Sequence, residues 1–466
     1  MFPDNFIWGV AASAFQIEGS KGRGRSVWDD FCDQPGRILD GSDGRIACDH
    51  IERWRQDVDL IGELGVNAYR FSIAWPRVFP EPGGLVNAKG LAFYDRLTDA
   101  LLEKGVDPWV CVHHWDVPDY LEASGGWRAR DIAPRFAEFC HTVMAKLGDR
   151  IAYASPFNEP NVVPWVAYDA GHHAPGRQSR EATIAAMHHL NLAQGMAFEA
   201  MREASPKTKL GGIYSLSPVH PKREDEAHVR ATEAGDAMWR RIMLDPLILG
   251  RYPDFIADEI APHVREGDMS LIHQQQDYFG LNHYARLYIE PAPERHFGAK
   301  EARPPNDVPV TGWGWQIDAT ALVETLEDFR ARYPDFDTPI IITENGAAFP
   351  DVVRPDGTVD DRDRIAFFSQ YLQATGQAIK AGFDIRGYFF WSILDNFEWN
   401  AGYTKRFGLV HVDYDSLDRT PKASYHFIQN FLNDQREGGM QTSKILKAHG
   451  NYMFPMLDES ADLYVE

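Results

Sequence analysis

The sequence predicts an α/β fold: a single (β/α)8 TIM barrel with long loops at the C-terminal face of its strands. Three observations predict it. Eight short β-rich runs alternate with amphipathic helical stretches, the pattern of parallel strands joined by crossover helices. The length, 466 residues, suits one barrel enlarged by loop insertions. Two acidic tetrapeptides, Phe157-Asn158-Glu159-Pro160 and Thr343-Glu344-Asn345-Gly346, stand at the ends of apolar runs, where a barrel collects its functional groups.

The candidate strands, in order, are Phe6 to Ala11, Val66 to Ala74, Pro108 to His113, Ile151 to Phe157, Leu210 to Tyr214, Tyr278 to Tyr284, Pro339 to Thr343 and Ile385 to Trp391. Between the first two, Ile51, Trp54, Val58, Ile61 and Leu64 keep a helical period; Asp49 with Glu52 forms a candidate capping box and Gly65 a stop. In the second strand Tyr69, Phe71 and Ile73 share the face suited to helices, so Ala68, Arg70 and Ser72 face inward. A buried arginine needs a carboxylate partner, and Glu344 is the expected one. Strand parity also turns both acids inward, Glu344 with Ile340 and Ile342, Glu159 with Ser155 and Phe157. Glu290 to Pro309, rich in Pro and charge, reads as a long loop rimming the barrel mouth. The barrel is expected to occupy residues 1–433. Residues 434–466 form a tail whose Ile445, Leu446, Tyr452, Met453, Phe454, Met456 and Leu457 need burial, either on their own barrel or at a subunit contact in a homo-oligomer.

Composition narrows the function. Lys and Arg number 47 against 68 Asp and Glu, a formal charge of −21 that repels nucleic acid and anionic membrane surfaces. No apolar run is long enough to span a bilayer, and the N-terminus lacks a basic region followed by an apolar one. Cys32, Cys48, Cys111 and Cys140 are widely spaced with no C-x-x-C, so they read as reduced thiols of a cytoplasmic enzyme. Thirteen tryptophans exceed what packing asks for, and some are expected to face a ligand. The histidine pairs His113-His114, His172-His173 and His188-His189 do not make a metal site, because adjacent strand residues face opposite sides and no His-Glu-x-x-His spacing occurs. His113 is the structural, outward member of its pair. Gly19 to Gly24 does not space its glycines as a dinucleotide loop does, so no cofactor is called for.

Read together, the motifs resemble those of glycoside hydrolase family 1, the β-glucosidase and β-galactosidase family, from about Phe2 to Leu432. They are Phe6-Ile7-Trp8-Gly9 with Ser13 to Gly19, Tyr69 to Arg77, His114-Trp115-Asp116-Val117-Pro118, Asn158-Glu159-Pro160, Thr343-Glu344-Asn345-Gly346, Trp391 to Trp399, and Lys405-Arg406-Phe407-Gly408. The resemblance implies a small β-glycoside as substrate, a terminal glucosyl residue first and galactosyl or fucosyl residues besides. It implies Glu344 as nucleophile and Glu159 as general acid/base, with Arg70, Asn158 and Tyr284 in support. Gln16, His114, Trp115, Asn282, Glu398, Trp399 and Phe407 would bind the sugar, Trp391 would floor the pocket, and Trp315 would gate the leaving-group side.

Two carboxyl groups ~5 to 5.5 Å apart, one attacking the anomeric carbon and one protonating the departing oxygen, carry retaining glycoside cleavage. Arg70 is expected to hold Glu344 as a carboxylate, while burial and the charge of Glu344 keep Glu159 protonated. Gln16 and Glu398 can hold the 4-hydroxyl of either epimer. Family members that prefer 6-phosphorylated sugars carry a small residue at the Glu398 position, so a charged Glu398 argues against a 6-phospho-β-glycosidase. Glu159, being an acid, separates the chain from the thioglucoside-cleaving branch. Pro156 and His283 depart from the family's usual residues, as do the positions after Trp315, where an acid and a proline are missing. A non-catalytic carbohydrate-binding protein, the competing reading, needs stacked indoles but no opposed acids.

Overall fold

The computed structural model describes residues 2–454, so Met456 and Leu457 of the predicted tail lie outside the described residues. The barrel strands are β1 (Ile7–Ala11), β2 (Ala68–Ser72), β3 (Asp107–His113), β4 (Tyr153–Phe157), β5 (Lys209–Ser215), β6 (Tyr278–Asn282), β7 (Ile340–Asn345) and β8 (Ile385–Trp391). Each pairs in parallel with its sequence neighbours, and β1 closes the ring on β8. All eight fall on the predicted runs, with ends shifted by a residue or a few.

Inside the ring, Ala68, Trp109, Tyr278, Ile341 and Phe389 form a small core of their own, separate from the large one between strands and helices. Trp109 stacks on Tyr153 at 4.1 Å and meets Phe389 at 5.0 Å. Gly9 makes the room: a Cβ there would lie 2.2 Å from the Phe389 ring. The layer fills the interior of the barrel between its strands. Phe389→Ala is therefore expected to cost about 3–5 kcal/mol, read from the urea midpoint of a folded variant.

The helix His50–Leu64 buries Trp54, Val58, Ile61 and Leu64, and Gly65 ends it with φ 86°. The predicted capping box does not form. Asp49 itself adopts φ 53°, which turns its carboxylate away from the first-turn N–H groups; it lies 3.8 Å from Arg53, and Glu52 pairs with Lys21 at 2.6 Å. The Glu290 to Pro309 stretch is likewise not all loop. Leu287–Pro291 and Ala299–Ala302 pair as a hairpin, extended by Val219–Pro221 into a three-stranded sheet. Val219–Pro221 directly follows β5 and the hairpin directly follows β6, so the sheet lies at the C-terminal ends of the strands.

Past residue 434 the chain adds the helix Thr442–Gly450. Leu446 is buried and Phe454 stacks on Phe349 at 6.1 Å, while Met453 stays 90% exposed. All four cysteines are free, Cys48, Cys111 and Cys140 being buried. No helix among the described residues is long and apolar enough to cross a membrane.

Candidate active site

Glu344 is the last residue but one of β7, Arg70 lies within β2, and the barrel brings them together: Arg70 Nη1 donates to Glu344 Oε1 at 2.5 Å. Burial works against the guanidinium charge, but the Glu344 carboxylate outweighs it and holds Arg70 above its ordinary range. Tyr284 donates to the other oxygen, Oε2, at 2.5 Å. Both carboxylate oxygens are thus held from fixed directions.

The second acid joins through amides. Asn282 Nδ2 donates to Glu159 Oε1 at 2.8 Å and to Asn158 Oδ1 at 3.0 Å, and Arg70 Nη2 donates to that same Asn158 oxygen. Asn158 Nδ2 meets His114 Nε2 at 2.9 Å, and Trp115 Nε1 donates to the Asn158 carbonyl at 3.0 Å. Thr343 orients Asn282 in turn, donating to its Oδ1 at 2.7 Å. Burial first, and the Glu344 charge second, push Glu159 up to about 8, against the opposing pull of the Asn282 hydrogen bond. At neutral pH Glu159 therefore carries a proton.

Both acids point into the mouth, but not by strand parity. Ile341 is the inward residue of β7, whereas Ile340 and Ile342 pack outward, so strict alternation would send Glu344 to the helices. A register shift between Ile342 and Glu344 turns the chain and brings the carboxylate inside. On β4, Phe157 also faces outward, stacking on Phe136 of the helix Ile132–Leu147 at 4.1 Å. Glu159 reaches the mouth because its backbone is left-handed, φ 46°. Trp115 (φ 72°) and Trp399 (φ 51°) share this costly region, and all three lie at the site.

Opposite the acids, Gln16 is the hub of a polar wall. Its Nε2 donates to Asn396 Oδ1 at 2.9 Å, the Phe397 carbonyl at 3.1 Å and Glu398 Oε2 at 3.1 Å, and its Oε1 accepts from Ser13 at 2.6 Å. Burial and then the Glu344 charge push Glu398 up to about 8. This corrects the expected reason for excluding a 6-phosphate. Glu398 is mostly neutral at pH 7, so the barrier is the cost of bringing phosphate charge into a buried group of three acids whose arginine, Arg70, is already paired.

Aromatic rings close the remaining sides. Trp399 packs on Trp115 at 4.8 Å and on His114 at 5.6 Å. Trp391 and Phe407 are buried with Ala11 and Ala348, and Tyr284, Trp313 and Trp315 cover them from a half-buried position. Trp315 lies 5.3 Å from Tyr284 and 5.2 Å from Trp313. All the predicted site residues thus meet at one mouth. Sequence reasoning passed over Trp313, Asn396, Ser13 and Thr343. The last three stood inside quoted motifs, and Trp313 was signalled by its single-glycine spacing from Trp315.

The histidines set aside as non-ligands have local partners. His113 packs on Trp75 at 5.7 Å and Phe136 at 5.8 Å, outside the barrel. His188 meets Tyr252 and Asp268, and His189 the Trp127 carbonyl.

The model of glycosyl hydrolase family 1 matches residues 1–437. The chain belongs to glycosyl hydrolase family 1. Among family 1 relatives, a beta-glucosidase of an Agrobacterium strain is 41% identical over 432 residues, covering 91% of this chain and 93% of that protein. A bifunctional beta-D-glucosidase/beta-D-fucosidase of Bifidobacterium breve is 41% identical over 462 residues, covering 93% and 98%. Among solved structures, the family 1 b-glucosidase of Thermotoga maritima superposes with a TM-score of 0.87 at 39% identity, covering 93% of this chain and 98% of that one. The chain is accordingly a family 1 glycoside hydrolase, a retaining β-glycosidase with a (β/α)8 barrel. Neither a carbohydrate-binding module nor a 6-phospho-β-glycosidase is favoured by these likenesses.

Proposed function

We propose that this enzyme releases terminal non-reducing β-D-glucosyl residues, and galactosyl and fucosyl residues besides, from oligosaccharides and aryl or alkyl glycosides. One observation carries the reading: two buried acids meet at one mouth in unlike surroundings, Glu344 held by Arg70 and Tyr284, Glu159 pushed up to about 8. Glu344 attacks the anomeric carbon as Glu159 gives its proton to the departing oxygen; the glycosidic bond breaks and a glycosyl ester forms on Glu344. With the Glu344 charge consumed in the ester, one of the two influences holding the Glu159 proton is gone. Glu159, left ionised by that transfer, stays so in the glycosyl-enzyme, takes a proton from water, and the resulting oxygen displaces Glu344 with net retention. A sugar hydroxyl in place of water gives transglycosylation.

Asn158 binds the 2-hydroxyl. Gln16, His114, Glu398 and Trp399 grip the others, with Glu398 toward position 6, while Asn282 and Trp115 order the acid side. Trp391 and Phe407 form the floor, and Trp315 flanks the leaving group. The fucosidase name of the Bifidobacterium relative supports the wider glycone range. Residues 1–433 form the catalytic unit. Residues 434–454 of the tail brace it, a reading supported by buried Leu446 and by Phe454 on Phe349, with a subunit contact as the second arrangement. Four free thiols favour a reducing compartment, and hence the cytoplasm.

An aryl β-glucoside tests the activity: phenol should appear between pH 5 and 8, and NMR should find the β-anomer first. No release would leave sugar binding alone, and α-anomer first would contradict retention. The pH profile tests the acid. Glu159 works protonated, so kcat/KM should be lost as pH rises through about 8, tenfold per unit beyond it. The limb should persist in Glu398→Gln and vanish in Glu159→Gln assayed on an activated aryl glucoside; a limb unchanged in the latter assigns it elsewhere.

A further inference from the structure

Behind the pocket floor lies a second cluster of charge that includes none of the proposed reacting groups. Lys422 is fully buried; its Nζ donates to Asp395 Oδ1 at 2.6 Å and also to Asp351. Arg364, equally buried, donates from Nη1 to Asp351 at 2.9 Å and to Asp361 at 2.5 Å, and from Nη2 to the Arg406 carbonyl at 2.7 Å. Arg406 Nη1 reaches the other Asp395 oxygen at 2.7 Å, and the Gly408 N–H donates to Oδ1 at 2.9 Å. Three acids thus face three cations with their charges cancelled. Buried ion pairs of this kind contribute little net stability, because desolvation offsets their attraction; removing one partner is what costs.

The cluster ties together the segments that build the pocket. Asp395 immediately precedes Asn396, Phe397, Glu398 and Trp399, three of which supply the acceptors around Gln16. Its main chain is fixed as well: its N–H donates to the Val410 carbonyl at 3.0 Å, and its carbonyl accepts from Cys48 Sγ at 3.0 Å. Arg406 and Gly408 flank Phe407 of the floor, and Asp351 lies on the segment leaving β7. Lys422 precedes the helix Ala423–Arg436, so the cation comes from a rigid part of the barrel wall.

We infer that Lys422, acting through Asp395, is a positioning residue for the segment Asn396 to Trp399, and that it sets the preference for sugars bearing a C6 hydroxymethyl group over those lacking it. The inference rests on Glu398 and Trp399 being sugar contacts. Without Lys422 the segment keeps its residues but loses its register against Gln16, and a displacement of about 1 Å costs as much as ~10²-fold in such a site.

The test compares an aryl β-glucoside with the matching β-xyloside, which lacks the C6 group, in the wild type, Lys422→Met, Lys422→Arg and Glu398→Gln. Competent sites are counted in each with a 2-deoxy-2-fluoro glycoside. In Lys422→Met, kcat/KM on the glucoside should fall about 10- to 100-fold, mostly through KM. The xyloside should fall far less, collapsing the ratio, and Lys422→Arg should restore part of it. Parallel loss on both sugars, or an unchanged ratio per competent site, overturns the inference. Should Lys422→Met not fold, Arg406→Met removes another cation from Asp395 at a partly exposed position and is read in the same way. Glu398→Gln separates the two failures. If it leaves the ratio unchanged, the sugar-contact reading fails; if it alters the ratio while the Lys422 and Arg406 variants do not, only the anchoring fails.

Discussion

Glu344→Gln is expected to lower kcat/KM on every β-glycoside by about 10⁵-fold, with the fold retained at a lowered melting temperature. The amide keeps the shape and accepts from Tyr284, but it has no anionic oxygen to form the ester. Arg70 would lose its charged partner at 2.5 Å, so part of the loss reflects a guanidinium left buried without its counter-charge. Stopped-flow assays with enzyme in excess should find no burst of phenol. A variant turning over at the wild-type rate would remove Glu344 from the chemistry.

Glu159→Ala should separate the two half-reactions. On cellobiose or an alkyl glucoside, whose departing oxygen needs a proton, kcat/KM should fall about 10²- to 10⁴-fold. On a dinitrophenyl glucoside the first step needs little protonation, so the ester on Glu344 should form quickly and then persist. Adding azide, which attacks without base help, should restore turnover and yield a β-glycosyl azide. Equal losses on good and poor leaving groups, with no azide effect, would contradict the assignment.

Much of this was legible in the residues because several independent demands coincided. Arg70 among inward-facing small residues required an acid, and Glu344, at the end of an apolar run, was the expected one. The eight strands were legible because apolar, β-rich runs bounded by helical periodicity have few other readings. What misled was strict alternation at the ends of β4 and β7. The two acids proposed to react lie where the period breaks, at a register shift before Glu344 and at the left-handed Glu159, and a pattern of apolar residues carries no mark of either. The Asp49 cap failed for a related reason, since a capping carboxylate works only from extended backbone and Asp49 is left-handed. The hairpin at Leu287–Pro291 and Ala299–Ala302 hid behind its charged, proline-rich composition, because a small sheet on the rim needs only one apolar face. The state of Glu398 could not be read from its type either: burial and the nearby Glu344, both products of the fold, keep it mostly neutral.

The central claim is that Glu344 and Glu159 act on the same anomeric carbon, one by attack and one by proton transfer. A 2-deoxy-2-fluoro-β-glucoside with a dinitrophenyl leaving group tests it most directly, since it forms the glycosyl ester and slows its hydrolysis. Digestion and mass spectrometry should find one sugar per chain, on the peptide carrying Glu344, and formation of that adduct should persist in Glu159→Ala. A label on Glu159 or Glu398, or no covalent adduct while the enzyme still turns over glucosides, would contradict the account.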